Sequence, residues 1–246
     1  MTRSAFDAPL ARAWLAAAAA AIELHQGELT ELDAAIGDGD HGGNLNRGFA
    51  AVLVALEAQA AKAEAAAQED ASSDGATVTP GQVFTTAGST LISKVGGASG
   101  PLYGSALRAI GKAMTAAAEE RRAAPSSSCA GPDGATILAA LRAGLDAVTK
   151  LGGAQVGDKT MVDAYTPAID AFAQEIEAGH GLPAAAGAAA DAAEQGATAT
   201  IPLVAHKGRA SYLGERSAGH QDPGATSTAL LFRALADVVG GAGQGR

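Results

Sequence analysis

The 246-residue chain carries a formal net charge of −9, so it lacks the basic surface that nucleic-acid binding demands. Its single cysteine, Cys129, cannot form an internal disulfide and rules out a cysteine-rich zinc site. Hydrophobic residues make up 48% of the chain but aromatic residues only 4%, so the core is built from alanine, leucine and valine on closely packed helices.

Asp7 is placed to cap a first helix running to about His25. Its apolar run, "ARAWLAAAAAAIELH", is too short to cross a bilayer, and no secretory leader is visible. A cytoplasmic protein with no membrane partner is therefore expected. A short helix, "ELTELDAAI", leads into the acidic, glycine-rich stretch "DAAIGDGDHGGNLNRGF". Helical pattern resumes from Asn44 through "RGFAAVLVALEAQAAKAEAAA". Residues 68–80 are polar and turn-rich and read as a flexible surface loop. A helix through "QVFTTAGSTLISKV" is expected to stop at "GGASGPLYG", and the next to cover "SALRAIGKAMTAAAEERR". Residues 123–134, which contain Cys129, read as a second flexible loop.

The stretch "ATILAALRAGLDAVTKL" has helical spacing and ends at "GGAQVGDKT". Pro167 lies inside the next helical pattern, so a kink or break is expected there. One or two helices follow over "LPAAAGAAADAAEQGATATIPLVAH", then a long polar loop, then "TSTALLFRALADVV". With no sustained two-residue alternation, the chain reads as all-α, one domain of about eight antiparallel helices over residues 1–246. Alternate connections of such a bundle fall at the same end. The loops "GDGDHGGN", "GGASGPLYG", "GGAQVGDKT" and "GRASYLGERSAGHQDPG" are therefore expected to share one face and build one site.

Asp33, Asp38 and Asp40 place three carboxylates within eight positions, where they repel unless a cation sits among them. Oxygen ligands without a thiolate suit Mg²⁺ or Ca²⁺. An EF-hand counted from Asp38 fails, because Phe49 stands where the bidentate Glu is needed. Mg²⁺ keeps positions open for phosphate oxygens, and nearby glycines let backbone N–H groups approach a phosphate. The same residues also read as an acidic turn that caps two helices. His41 reads as a phosphate contact, a metal ligand or a hydrogen-bonding neighbour, and its residue type favours the last.

Two other motifs fail. "GGAQVGDKT" separates its glycines like a P-loop, but Asp158 intrudes before Lys159 and a helix pattern, not a strand, precedes it. Neither "GGASGP" nor "GERSAGHQDPG" satisfies a nucleophile elbow, so no serine hydrolase is supported.

Taken together, "LDAAIGDGDHGGNLNRGF", "GGASGPLYG", "GDKTMVDAYTP" and "KGRASYLGERSAGHQDPGATS" resemble the L subunit of dihydroxyacetone kinase, from about residue 32 to residue 228. The resemblance implies an eight-helix antiparallel barrel with a nucleotide, ADP or ATP, at one end. It implies that Asp33, Asp38 and Asp40 bind two Mg²⁺ ions bridging the nucleotide's phosphates. It places His41, Gly42, Gly43 and Asn44 against the nucleotide, with Ala98 and Ser99 against the phosphates. Gly152 and Met161 would line the adenine side, and Arg209, Asp222, Pro223 and Gly224 would complete the pocket. Without the resemblance, Met161 reads as ordinary core. The segments after Ala67 and after Arg122 are longer than the family needs and leave these motifs intact.

In that family a separate K subunit holds the sugar through a histidine, so this chain alone is expected to be inactive as a kinase. No K-type domain is fused to it, which favours the free-subunit form, whose ADP is rephosphorylated by a phosphohistidine M subunit. A subunit of an ATP-dependent kinase is the alternative, for dihydroxyacetone or another small keto-sugar such as erythrulose. A non-enzymatic Mg–nucleotide regulatory module is a third reading.

Overall fold

The computed structural model describes residues 6–69, 77–123 and 132–241. Most of the two segments expected to be flexible loops, and Cys129 with them, lies outside the described residues. Among the described residues there are nine α-helices, one 3₁₀ helix and no strand. The helices are α1 (Ala8–Leu24), α2 (Gln26–Ile36), α3 (His41–Glu69), α4 (Pro80–Lys94) and α5 (Ser99–Ala123). After these come α6 (Gly134–Gly152), α7 (Val162–Glu177), α8 (Leu182–Ala199), the 3₁₀ helix (Arg209–Ser217) and α9 (Pro223–Gly241).

Side chains fix several starts. Asp7 accepts from Leu10 N at 2.8 Å and begins α1, and Asp133 accepts from Thr136 N at 2.9 Å and begins α6. Thr79 and Gln82 form a reciprocal capping box at α4. Two helices begin earlier than expected. α3 starts at His41 rather than Asn44, and α5 starts at Ser99, inside the stretch read as a loop. Pro101 is tolerated because it sits in the first turn of α5, where no intrahelical N–H bond is lost. The expected break at Pro167 does not occur, and α7 runs through it. Its ring and the Asp163 carbonyl, to which it has no N–H to give, face Gly196 of α8, where a Cβ would stand 2.3 Å from Asp163 O.

Eight α-helices close a ring in chain order. α3 packs on α4, α4 on α5, and so on to α9, which packs on α1, and α1 returns to α3. α2 stands outside the ring and packs on α3 and α9. This is the eight-helix antiparallel barrel expected. Trp14 of α1 helps close the ring by donating its indole N–H to Leu231 O of α9 at 2.8 Å. Its ring lies edge-on to Phe84 of α4 at 5.3 Å between centroids, and Phe6 completes the cluster. α8 turns Ala185, Ala186, Ala189, Ala190 and Ala193 inward, all fully buried, so its neighbours come close. α4 and α5 approach more closely still. A Cβ on Gly88 would lie 2.5 Å from Gly104 O, and one on Gly104 2.6 Å from Gly88 O. Gly81 and Gly111 repeat the contact one step along.

Alternation around the ring puts the N-termini of α3, α5, α7 and α9 at one end. None of the described helices is long and apolar enough to cross a membrane.

Candidate functional site

The four glycine-rich connections meet at that end around a cavity of about 300 Å³. His41 and Ser99, the first residues of α3 and α5, line it, as do Met161, which precedes α7, and Pro223, the first residue of α9. Four helix N-termini therefore face one space. Their free N–H groups and dipoles favour an anion there.

One wall is acidic. Asp33 sits in the last turn of α2, and its carboxylate folds back so closely that a Cβ on Gly37 would lie 2.1 Å from its Oδ1. Gly39, at φ +73°, turns the chain so that Asp40 N and His41 N both donate to Asp33 Oδ2, at 2.8 and 3.2 Å. Asp33 thus caps α3 from the preceding helix. One carboxylate oxygen each of Asp33, Asp38 and Asp40 lies within 4.8 Å of the others. This set offers only hard oxygens, gathers like charges and opens onto the cavity, which fits Mg²⁺ with positions left for phosphate. Across the mouth stand Lys207 and Arg209, and Arg209 Nη2 lies 3.0 Å from Asp38 Oδ2. The remaining wall is largely apolar, with Ile36, Leu102, Val148, Ala154, Met161 and Val162.

Of the residues picked out in the sequence, Asp33, Asp38, Asp40, His41, Ala98, Ser99, Gly152, Met161, Arg209, Asp222, Pro223 and Gly224 all line this cavity. Gly42, Gly43 and Asn44 do not. Gly42 serves helix packing, since a Cβ there would stand 2.2 Å from Gln26 O of α2. Gly43 faces the Arg47 side chain. Asn44 is buried, donates its backbone N–H to Asp40 O and accepts from Arg47 through its side chain. All three lie within the first turns of α3, and the Asn44 side chain borders Gly96 and Gly97, of which Gly97 lines the cavity.

His41 is the hydrogen-bonding neighbour its residue type favoured. Its Nδ1 lies 3.0 Å from Ser99 Oγ and its Nε2 2.9 Å from Ser227 Oγ. Burial lowers its pKa from the ordinary value, opposed by Asp33, Asp40 and a hydrogen bond to the Pro223 backbone.

Further residues of these same connections support the site. Lys159, at φ +60°, is almost fully buried and donates its ammonium to Thr200 O at 2.6 Å and to His220 O. It ties the α6–α7 connection to the α8–α9 connection. Burial pushes its pKa down, opposed by Asp222 and Asp163. Asp163 fixes the same turn by accepting from Gly157 N at 2.6 Å and Thr160 N at 2.7 Å. Asp222 accepts from Ala225 N at 2.7 Å at the start of α9, and burial pushes its carboxyl up to about 7. Tyr103 of α5 places its hydroxyl 2.7 Å from Ser227 Oγ, and burial raises its pKa to about 12. Asp222 was picked out in the sequence, whereas Lys159, Asp163 and Tyr103 lie in the same motifs without an assigned role, because their partners are distant in the chain.

The family model described as the DAK2 domain matches residues 35–237. The chain is 40% identical over 212 residues to "PEP-dependent dihydroxyacetone kinase, ADP-binding subunit DhaL" of Escherichia coli (strain K12), covering 85% of this chain and 86% of that one. It is 38% identical over 226 residues to "PTS-dependent dihydroxyacetone kinase, ADP-binding subunit DhaL" of Lactococcus lactis, covering 92% and 95%. Among solved structures it is similar to the dihydroxyacetone kinase of C. freundii in complex with AMP-PNP and Mg²⁺, with a TM-score of 0.62 and 26% identity. That match covers 93% of this chain but 34% of the solved one, so the chain spans about a third of that kinase.

Proposed function

This chain belongs to the DAK2 domain family, and from that premise we propose that it is the nucleotide-binding subunit of a dihydroxyacetone kinase. In this reading it is a single cytoplasmic domain that holds ADP or ATP with two Mg²⁺ ions. A sugar-bearing K subunit presents dihydroxyacetone, and a phosphohistidine M subunit rephosphorylates the bound ADP. The observation that carries the reading is the convergence of four helix N-termini and three aspartates on one cavity.

Each wall then has a task. Asp33, Asp38 and Asp40 hold Mg²⁺, which when bound neutralises phosphate charge and lets the phosphoryl group transfer. The N-termini of α3, α5, α7 and α9 and the Ser99 hydroxyl receive the phosphate oxygens. Met161, Leu102 and Val148 provide an apolar surface for the base. Arg209, at the mouth, is free to follow charge from Asp38 to a phosphate. Exposed Leu151, in the last turn of α6, and Val156 and Tyr212, in the connections, lie at this same end, where a sugar-bearing partner has to dock to reach the phosphoryl group.

The test is the nucleotide content of the purified protein, before and after long dialysis against excess ATP and Mg²⁺. Tightly held ADP that exchanges slowly is expected, and Asp38→Asn is expected to lose it. Rapid exchange for ATP would transfer the assignment to an ATP-dependent kinase. Absence of nucleotide binding at any Mg²⁺ concentration would overturn the site.

A further inference from the structure

Four side chains at the cavity form one unbroken hydrogen-bonded row. Ser99 Oγ lies 3.0 Å from His41 Nδ1, His41 Nε2 lies 2.9 Å from Ser227 Oγ, and Ser227 Oγ lies 2.7 Å from the Tyr103 hydroxyl. The row links the first turns of α3, α5 and α9. Ser99, His41 and Tyr103 line the cavity, whereas Ser227 is fully buried behind it.

An imidazole with a single N–H cannot donate in both of these contacts. Two arrangements remain. In the first, Nε2–H donates to Ser227 Oγ, and Ser99 donates its hydroxyl to Nδ1. Ser227 then gives its own proton to Pro223 O at 3.0 Å. In the second, Ser227 donates to Nε2 and Nδ1–H donates to Ser99 Oγ. The Ser99 hydroxyl hydrogen is then released toward the cavity. An anionic oxygen in the cavity selects the second arrangement, since only there does Ser99 have a proton to offer it. Tyr103 favours it as well. The shortest of its three hydroxyl contacts is to Ser227, and a donor into Ser227 Oγ makes the Ser227 hydroxyl a better donor to His41.

We propose that Tyr103 and Ser227 are positioning residues which, through His41, aim the Ser99 hydroxyl at a phosphate oxygen of the bound nucleotide. This rests on the nucleotide reading of the cavity. It assigns His41 an indirect part, with Ser99 as the contact.

The experiment combines ¹⁵N NMR of the His41 ring with ADP titrations at saturating Mg²⁺ on the whole chain. ADP is expected to shift the His41 ring toward the Nδ1–H tautomer in the wild type. Tyr103→Phe, which keeps the ring and the packing, is expected to shift the nucleotide-free balance toward Nε2–H. It is also expected to weaken ADP binding about three- to tenfold. Ser227→Ala is expected to do the same more strongly. In the Ser99→Ala background, Tyr103→Phe is expected to change ADP affinity less than twofold, because the hydroxyl being aimed is gone. Additive losses, or a His41 spectrum indifferent to Tyr103→Phe, would overturn the relay while leaving nucleotide binding intact. A wild type that fails to bind Mg–ADP would overturn the nucleotide reading and the relay with it.

Discussion

Arg209 Nη2 rests 3.0 Å from Asp38 Oδ2, so a guanidinium from the last connection occupies one corner of the three-carboxylate cluster. The Arg209 side chain is 69% exposed, and such a pair is worth only about 0.2–1 kcal/mol. A divalent cation can therefore displace it at small cost. Arg209→Ala should raise the affinity of nucleotide-stripped protein for Mg²⁺ by about two- to fivefold, by removing a competitor. It should lower ADP affinity at saturating Mg²⁺ by about tenfold or more, by removing a charge-assisted phosphate contact. Calorimetric titrations of Mg²⁺ alone and of ADP with Mg²⁺ measure both. Changes of the same sign would contradict a partner exchange at Arg209.

The carboxylate cluster also makes opposite demands with and without a cation. One oxygen of each aspartate lies within 4.8 Å of the others, so the cation-free protein carries their repulsion. Asp40→Asn keeps the shape and relieves part of it. Its unfolding temperature should rise by about 1–3 °C in a chelator and fall below that of the wild type in saturating Mg–ADP. Thermal unfolding under the two conditions should give curves that cross. A variant less stable in both would show that Asp40 serves the turn rather than a cation.

The convergence of the site was legible because alternate loops of an up-and-down helical chain share an end, and the chemistry was concentrated in alternate loops. The ring of eight helices followed from the same periodicity. Glycine was where sequence reasoning erred. "GGASGPLYG" and "DHGGN" read as flexible backbone, yet Ser99 and His41 already begin helices. Gly42 and Gly104 are there because a neighbouring helix backbone leaves no room for a Cβ, a long-range fact that no local pattern states. Lys159 and Tyr103 were invisible for a related reason. Lys159 gains its meaning from carbonyls 41 and 61 residues away, and Tyr103 from Ser227, 124 residues away.

The α4–α5 crossing separates packing glycines from incidental ones. A Cβ at Gly88 would lie 2.5 Å from Gly104 O and 2.7 Å from Arg108 N, both backbone atoms that cannot turn aside. Gly88→Ala should cost about 1–3 kcal/mol or more, as overpacking does. Gly187, inside α8, has nothing within 4 Å of its would-be Cβ and no positive φ. Gly187→Ala should therefore stabilise by about 0.5–1 kcal/mol through helix propensity. Urea unfolding of the two variants decides the matter. Equal effects would mean that the helices shift apart without cost.

Asp222 gives the fold a pH dependence of defined sign. Burial pushes its carboxyl up to about 7, with Asp163 adding to the rise and Lys159 and the backbone N–H of Ala225 opposing it. In the unfolded chain it titrates near 4. Between these values the folded state binds the extra proton, so this residue's contribution to stability is complete below about pH 4 and is lost as pH rises through about 7. Asp222→Asn retains an oxygen to accept from Ala225 N, which Asp222 holds at 2.7 Å, and carries no charge at any pH. Denaturant unfolding at several pH values between about 4 and 8 should show the wild type losing ground to Asp222→Asn as pH increases. The gap should reach a few kcal/mol above pH 7. Because all other titrating groups are shared, the difference between the two profiles isolates Asp222. Profiles that run parallel would mean that the carboxylate is already ionised and compensated in the fold, with Lys159 as its counter-charge.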